Sequence, residues 1–215
     1  LGFNVWLFDC LGVKDYSTAK QTNRKAMKQL NQLDTDLFLT LNRQHAGWLD
    51  PVMYWVSDRE FWFPFYALFL VWLGWKYRRQ AFWMALTVGV AVALADQVTS
   101  SVFKPVFHRL RPCHEPAIDQ WVRVVWECGG TYGFASSHAA NGFAFATVMT
   151  LLIGQNFPAV RWLFAWAALV AYSRVYVGAH YPLDILAGAG LGTMTALFSV
   201  WGYRLIFQNQ PLKSS

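Results

Sequence analysis

Residues 81–103 read AFWMALTVGVAVALADQVTSSVF, an apolar stretch broken by a single charge, Asp96. An α-helix rises 1.5 Å per residue, and roughly 17–25 residues cross the hydrocarbon core of a bilayer. This stretch meets that length. Working outward from it, residues 61–75 are uncharged and end in Lys76, Arg78 and Arg79. Residues 139–160 are uncharged, residues 162–173 run into Arg174, and residues 185–203 are uncharged again. The first and fourth of these five runs reach a spanning length only with their polar flanks. The reading is an all-α, polytopic membrane helix bundle with about five transmembrane helices. A soluble bundle of buried helices is the alternative, but it would have too few polar residues to cover its surface.

Composition supports that choice. The chain has 215 residues, of which 55% are hydrophobic and 14% charged, against about a quarter charged in an ordinary globular domain. Twelve Trp, 17 Phe and nine Tyr suit the edges of a bilayer. Disorder, collagen and a disulfide-dense mini-scaffold are excluded. The net charge of +6 would suggest nucleic acid in a soluble protein. Here the basic residues fall at the ends of apolar runs, which points to membrane topology or phosphate and to no nucleic-acid partner.

The organisation expected is an N-terminal extension over 1–29, interfacial amphipathic helices over 30–58, the membrane domain over 59–207 and a C-terminal tail over 208–215. Residues 20–28 are polar and basic, and residues 3–8 lack the basic n-region of a secretory signal. Leu30, Leu33, Leu37 and Leu41 repeat at helical spacing, with Asp34, Asp36 and Asn42 off that stripe. After a break at Gly47, Leu49, Val52, Met53 and Val56 repeat the pattern. Two N-terminal helices lying at the membrane surface fit this better than a span.

The polar residues collect in four places. Lys104, Arg109 and Arg111 follow the second apolar run, and Ser136, Ser137 and His138 open the third. Ser173 and Arg174 close the fourth, while His180 and Asp184 precede and start the fifth. Consecutive spans alternate in direction, so these four clusters share one membrane face. Lys104, Arg111 and Arg174 then supply three cations, and a Ser-Ser helix start supplies hydroxyls and free N–H groups, the usual anion site of a helix N-terminus. Guanidinium groups match phosphate oxygens. His138 and His180 offer a nucleophile and a general acid. Asp184, one helical turn after His180, is placed to hold its tautomer. Such a set suits phosphoryl transfer and needs no metal or other cofactor. Lys76, Arg78, Arg79, Arg161 and Arg204 read instead as topology anchors, His45, His108 and His114 as ordinary polar groups, and Ser136 has an N-cap reading beside the functional one.

These residues also carry a resemblance. Lys104-Pro-Val-Phe-His-Arg-Leu-Arg111-Pro112 resembles the K-x6-R-P motif of the type 2 phosphatidic acid phosphatase family. Ala135-Ser136-Ser137-His138 resembles its P-S-G-H, with Ala for Pro and Ser for Gly. Ser173-Arg174, five residues, His180, three residues and Asp184 match its S-R-x5-H-x3-D at every fixed position. The resemblance covers roughly residues 61–203. It implies that His180 attacks phosphorus to form a phosphohistidine, that Asp184 orients it and that His138 protonates the leaving oxygen. Lys104, Arg111, Ser136, the N–H of Ser137 and Arg174 would hold the phosphate, and catalysis would proceed without a bound metal. Vanadate-dependent haloperoxidases share these motifs but are soluble, and the apolar spans argue against that branch.

The expected function is therefore an integral membrane lipid phosphatase, acting on a lipid phosphate that enters sideways from the bilayer. For a bacterial chain the resemblance puts undecaprenyl diphosphate first, with lipid A and phosphatidylglycerol phosphate behind it. A phosphate-lipid binder or transporter is the non-enzyme alternative. The face opposite the motifs carries Lys76, Arg78, Arg79, Arg161, Arg204 and Lys213. By the positive-inside rule this places the C-terminus in the cytoplasm and the site on the periplasmic or external side of a bacterial plasma membrane. The basic cluster at 20–28 runs against this. Asp96 has two open readings, as an intramembrane functional carboxylate or as a hydrogen-bond partner of a neighbouring helix. Cys113 and Cys128 are open to a disulfide closing a loop of about 15 residues, to free thiols, or to zinc with His108 and His114, for which the Cys-His spacing is not standard.

Overall fold

The computed structural model describes residues 16–207; residues 1–15, with Cys10, and the tail over 208–215, with Lys213, lie outside that range. Apart from one isolated antiparallel bridge between Leu110 and Tyr132, every regular element among the described residues is helical. In chain order these are α1 (Tyr16–Arg43), α2 (Leu49–Ser57), α3 (Phe63–Tyr77), α4 (Arg79–Phe107), α5 (Ser137–Ile153), α6 (Leu163–Tyr176) and α7 (Pro182–Phe207). Two compact units are distinguished, Leu1–Leu37 and Phe38–Ser215.

In the first unit α1 begins at Tyr16, so the boundary expected at residue 30 falls inside a continuous helix. Residues 19–30 are rich in Ala, Lys, Gln, Arg and Met, which extend a helix even without an apolar stripe. Leu30, Leu33 and Leu37 remain exposed.

In the second unit the end of α1 is anchored by its other face. Phe38 is buried with its ring edge-on to Tyr181 at 5.4 Å. Asn42 Nδ2 donates to the carbonyls of Arg123, Val175 and Tyr176 at 2.9–3.2 Å, and its Oδ1 accepts from the Arg123 N–H at 2.8 Å. The break expected at Gly47 separates α1 from α2. Pro64 stands in the first turn of α3, where its missing N–H is harmless. The α3–α4 hairpin turns on Arg78, which takes φ 50°.

Helix α5 lies at the centre. Its residues are apolar on all sides, and Ala139, Ala140, Ala144, Ala146 and Met149 are buried, the pattern of an enclosed helix. Helices α4, α6 and α7 pack around it. The apolar run expected to continue to residue 160 ends its helix at Ile153, where Gly154 and Asn156 make turns and Pro158 opens a short 3₁₀ segment. By length and composition α4 and α7 can cross a membrane. Trp75, Phe82, Leu186, Phe198 and Ile206 point outward and are largely exposed, a surface suited to lipid rather than water.

Candidate active site

The C-terminal end of α4 and the N-terminal end of α5 meet through hydroxyls. Helix α4 is α-helical to Gln97, widens into a π-helical turn over Val98–Phe103 and resumes at Lys104. Such turns often occur at functional sites. This one presents Thr99, Ser100 and Lys104 together to Ser137. Ser137 Oγ lies 2.9 Å from Thr99 Oγ1 and 3.3 Å from Ser100 Oγ, and it accepts from Lys104 Nζ at 3.2 Å. The Ser that stands where the family motif has Gly is thus used through its side chain. It needs no special backbone, since Arg78, His108 and Trp126 are the non-glycine residues with positive φ among those described. Ser136 is the N-cap residue of α5, but its side chain makes no capping bond; its Oγ is buried without a hydrogen-bond partner.

The turn from α6 into α7 places Arg174 beside His180. Gly178 supplies φ 84° there; a Cβ would strike the Arg123 carbonyl. The N–H groups of Ala179 and His180 both donate to the Arg174 carbonyl, at 2.9 and 3.2 Å. His180 is 1% exposed. Its Nδ1 lies 3.4 Å from Asp184 Oδ2 and its Nε2 lies 3.2 Å from Arg111 Nη1. A guanidinium only donates, so Nε2 accepts and the ring proton sits on Nδ1, facing Asp184. The lone pair of Nε2 therefore points toward the Arg111 guanidinium. Asp184 is itself held: Arg109 Nη1 donates to Oδ1 at 2.8 Å, the Tyr181 N–H donates to Oδ2 at 3.0 Å, and its own carbonyl accepts from the Ser136 N–H at 3.0 Å. That last bond ties the start of α7 to the start of α5.

Burial, followed by the nearby charges of Arg111, Arg174 and Lys104, holds the His180 pKa well below the usual imidazole range. The ring is neutral at neutral pH, the state a nitrogen nucleophile requires. Arg174 Nη1 donates to Ser57 Oγ at the end of α2. Two cavities, each of about 410 Å³, share a wall made by Ser57, Asp58, Arg59 and His138. One is polar and includes Arg174, Glu127 and Gly129; the other is apolar and runs between α3, α4, α5 and α6.

The structure thus brings Lys104, Arg111, Ser137, Arg174, His180 and Asp184 into one connected cluster, with His138 on the wall between the cavities. Four further residues bear on it to which sequence reading gave no role. Arg109 has a carboxylate as its partner and also stacks on Tyr181, 4.0 Å from the ring centre. Ser57 and Arg59 come from outside the three motifs, and no spacing signals them. Gly133 is a third-party constraint: a Cβ there would lie 3.1 Å from Asp184 Oδ2 and 3.5 Å from His180 Nδ1. Asp96 Oδ1 accepts from Asn141 Nδ2 of α5 at 3.3 Å, the helix-to-helix hydrogen bond among its two readings. Cys113 and Cys128 are bonded to each other, with Cα atoms 6.4 Å apart, although with His114 their ligand atoms lie within 4.8 Å of one another. His114 Nε2 is 3.2 Å from the Gly129 carbonyl, and the His108 ring packs against Tyr132 at 5.0 Å.

An apolar helical bundle that gathers an oriented, neutral histidine and several cations at one end of its helices suits phosphoryl transfer at a membrane. The chain belongs to the PAP2 superfamily, whose profile matches residues 84–208. It is 34% identical over 175 residues to a lipid A 4'-phosphatase of Porphyromonas gingivalis, covering 80% of this chain and 73% of that one. It is 30% identical to an undecaprenyl-diphosphatase of Sulfolobus acidocaldarius over 78% of this chain and 77% of the other. Among solved structures it is similar to Aquifex aeolicus LpxE, with TM-score 0.61 and 25% identity, over 77% of this chain and 93% of that one. The protein is a membrane lipid phosphatase.

Proposed function

We propose that this phosphatase removes a phosphate monoester from a lipid of the lipid A class, through a covalent phosphohistidine. Undecaprenyl diphosphate, ranked first from sequence, becomes the second reading. The greater identity to a lipid A 4'-phosphatase than to an undecaprenyl-diphosphatase supports the new order.

The observation that carries the mechanism is the orientation of His180, with Nδ1–H toward Asp184 and the Nε2 lone pair toward Arg111. The substrate phosphate lies among Lys104, Arg111, Arg174, Ser136 and Ser137, which neutralise its oxygens as charge redistributes. His180 Nε2 bonds to phosphorus while the ester P–O bond breaks, and His138 gives its proton to the departing lipid oxygen. Asp184 stabilises the charge that His180 acquires, and Arg109 fixes Asp184. Water then attacks the phosphohistidine, delivering a proton to His138 and freeing His180. In this reading five helices, α3 to α7, cross the plasma membrane, with the site on the external face and the C-terminus inside.

The test is phosphate release by the purified protein from bisphosphorylated lipid A, undecaprenyl diphosphate and phosphatidylglycerol phosphate in matched micelles. Lipid A is expected to have the highest kcat/KM. A higher value for undecaprenyl diphosphate would reverse the order of the readings.

A further inference from the structure

The polar cavity carries side chains that phosphate chemistry does not use. Arg174 and His138 stand on its wall, but so do Tyr54, Trp126, Asp58 and Glu127. Trp126 is the unusual one. Its side chain is 76% exposed, and its backbone takes φ 75°, a left-handed conformation that is costly for a bulky residue. The segment is nevertheless fixed on both sides. The Val125 N–H donates to the Val177 carbonyl at 3.3 Å, and Cys128 is bonded to Cys113. The indole is braced as well, tilted against Tyr54 with ring centroids 5.2 Å apart. An exposed aromatic face held on an unfavourable backbone points to function rather than packing.

Tryptophan at a membrane surface commonly serves the bilayer interface, but the neighbours of Trp126 argue for another ligand. With Arg174 taken up by the transferring phosphate, the fixed charges left on the cavity wall are Asp58, Glu127 and Arg59. Two carboxylates and one guanidinium suit neither hydrocarbon nor a second phosphate group. They suit hydroxyls, which donate to carboxylates. A pyranose ring offers hydroxyls around its rim and a face of C–H groups that lies flat on an aromatic ring. We infer that the polar cavity seats the sugar ring that bears the scissile phosphate, with Trp126 as its stacking platform and Asp58 and Glu127 accepting from its hydroxyls. The inference rests on the lipid A reading above and adds to it the residues that select a sugar. The oxygen that leaves phosphorus is then a sugar oxygen, released beside His138 on the same wall.

The experiment measures kcat/KM for N-dodecanoylglucosamine 4-phosphate and for dodecyl phosphate, which has a chain of the same carbon number and no sugar, in matched mixed micelles. The quantity read is the sugar-to-alkyl ratio. In the wild type it lies well above one, and Trp126→Gly lowers it by about threefold to tenfold, the worth of an aromatic stacking contact. Glycine is at ease at positive φ, so the loop keeps its course in that variant. Trp126→Phe, which keeps an aromatic face, retains most of the ratio. Trp121→Ala, at an exposed tryptophan of the same loop that does not line the cavity, keeps the wild-type ratio. An unmoved ratio in Trp126→Gly overturns the platform while the lipid A reading stands; lower rates on both substrates at that same ratio assign the indole to the bilayer surface. A wild-type ratio near one, with both substrates hydrolysed, overturns the sugar site and the lipid A reading together and leaves the phosphatase chemistry standing. If neither substrate is hydrolysed, that chemistry fails, and an N-acylglucosamine carrying a diazirine decides the sugar site alone. Crosslinks within residues 54–59 or 125–129 support it, and crosslinks confined to other segments overturn it.

Discussion

Three glycines of α7 make the tightest test of how the site is assembled. A Cβ on Gly192 would lie 2.9 Å from the Ala140 Cα of α5, with the Ala140 carbonyl oxygen closer still. A Cβ on Gly188 would lie 3.2 Å from Ala139 Cβ and closer to the Ser136 carbonyl. These neighbours are backbone or the stub of an alanine, so no rotamer change relieves them. Restoring ordinary carbon–carbon spacing of about 3.5–4.0 Å parts α5 from α7 by about 1 Å. Small residues allow such close approach of membrane helices, and overpacking it costs about 1–3 kcal/mol. The functional loss is larger. Asp184 and Ser136, joined by a 3.0 Å backbone hydrogen bond, sit at the starts of those two helices, and a misplacement of about 1 Å in reacting groups costs about 10²-fold. Gly192→Ala and Gly188→Ala should therefore lower Tm in detergent and reduce kcat on an aryl phosphate by about 10²-fold. Gly190, with nothing within 4 Å of its would-be Cβ, is the control. Gly190→Ala keeps activity and gains up to about 1 kcal/mol from helix propensity. Equal damage at all three positions, or tolerance at Gly192, would refute the packing argument.

Arg109→Gln leaves the fully buried Asp184 carboxylate without its 2.8 Å partner. The 22% exposure of Arg109 puts the loss at the lower end for a broken buried pair, about 2–3 kcal/mol, read as a fall in Tm together with a fall in kcat; an unchanged kcat would remove Arg109 from the orienting chain. The His180 pKa is depressed by burial and by Arg111 and Arg174. The unfolded chain therefore takes up a proton as pH falls through about 6.5 while the folded one does not, and stability declines with acidification across that window. In histidine-labelled protein the His180 resonance should stay in its neutral position from pH 8 to 6, and an ordinary titration there would contradict the assignment. Opening the Cys113–Cys128 bond, which joins residues 15 apart, should cost up to about 3 kcal/mol and weaken phosphate binding by loosening the segment that carries Arg111. Labelling of both thiols in unreduced, denatured protein would show the bond is not formed.

Much of the site was legible because successive helices of a bundle tend to alternate in direction. Four polar clusters far apart in sequence had to share a face, and the Lys104–Ser137 and Arg111–His180 contacts are the result. Family motifs sharpened the roles but concealed two features. Arg109 lies inside the first motif at a variable position, so nothing in the pattern marks it as the partner of Asp184. Ser57, the last residue of α2, and Arg59, in the turn after it, reach the site by a meeting that depends on tertiary packing and has no periodicity to announce it. Helix type was readable from apolar runs, whereas ends were set by local chemistry: Gly154 and Pro158 stop α5 short, and helix-forming polar residues carry α1 back to Tyr16. The π-helical turn at Val98–Phe103 escaped because its sequence fits a regular helix equally well.

The central claim is that His180 carries the phosphoryl group. Rapid quenching of the enzyme with a ³²P-labelled lipid phosphate, followed by peptide mapping under alkaline conditions, tests it directly. The account predicts an acid-labile, base-stable label on the peptide containing His180, and no label in His180→Ala although that protein still folds. Label on any other residue, or label persisting in His180→Ala, would contradict it.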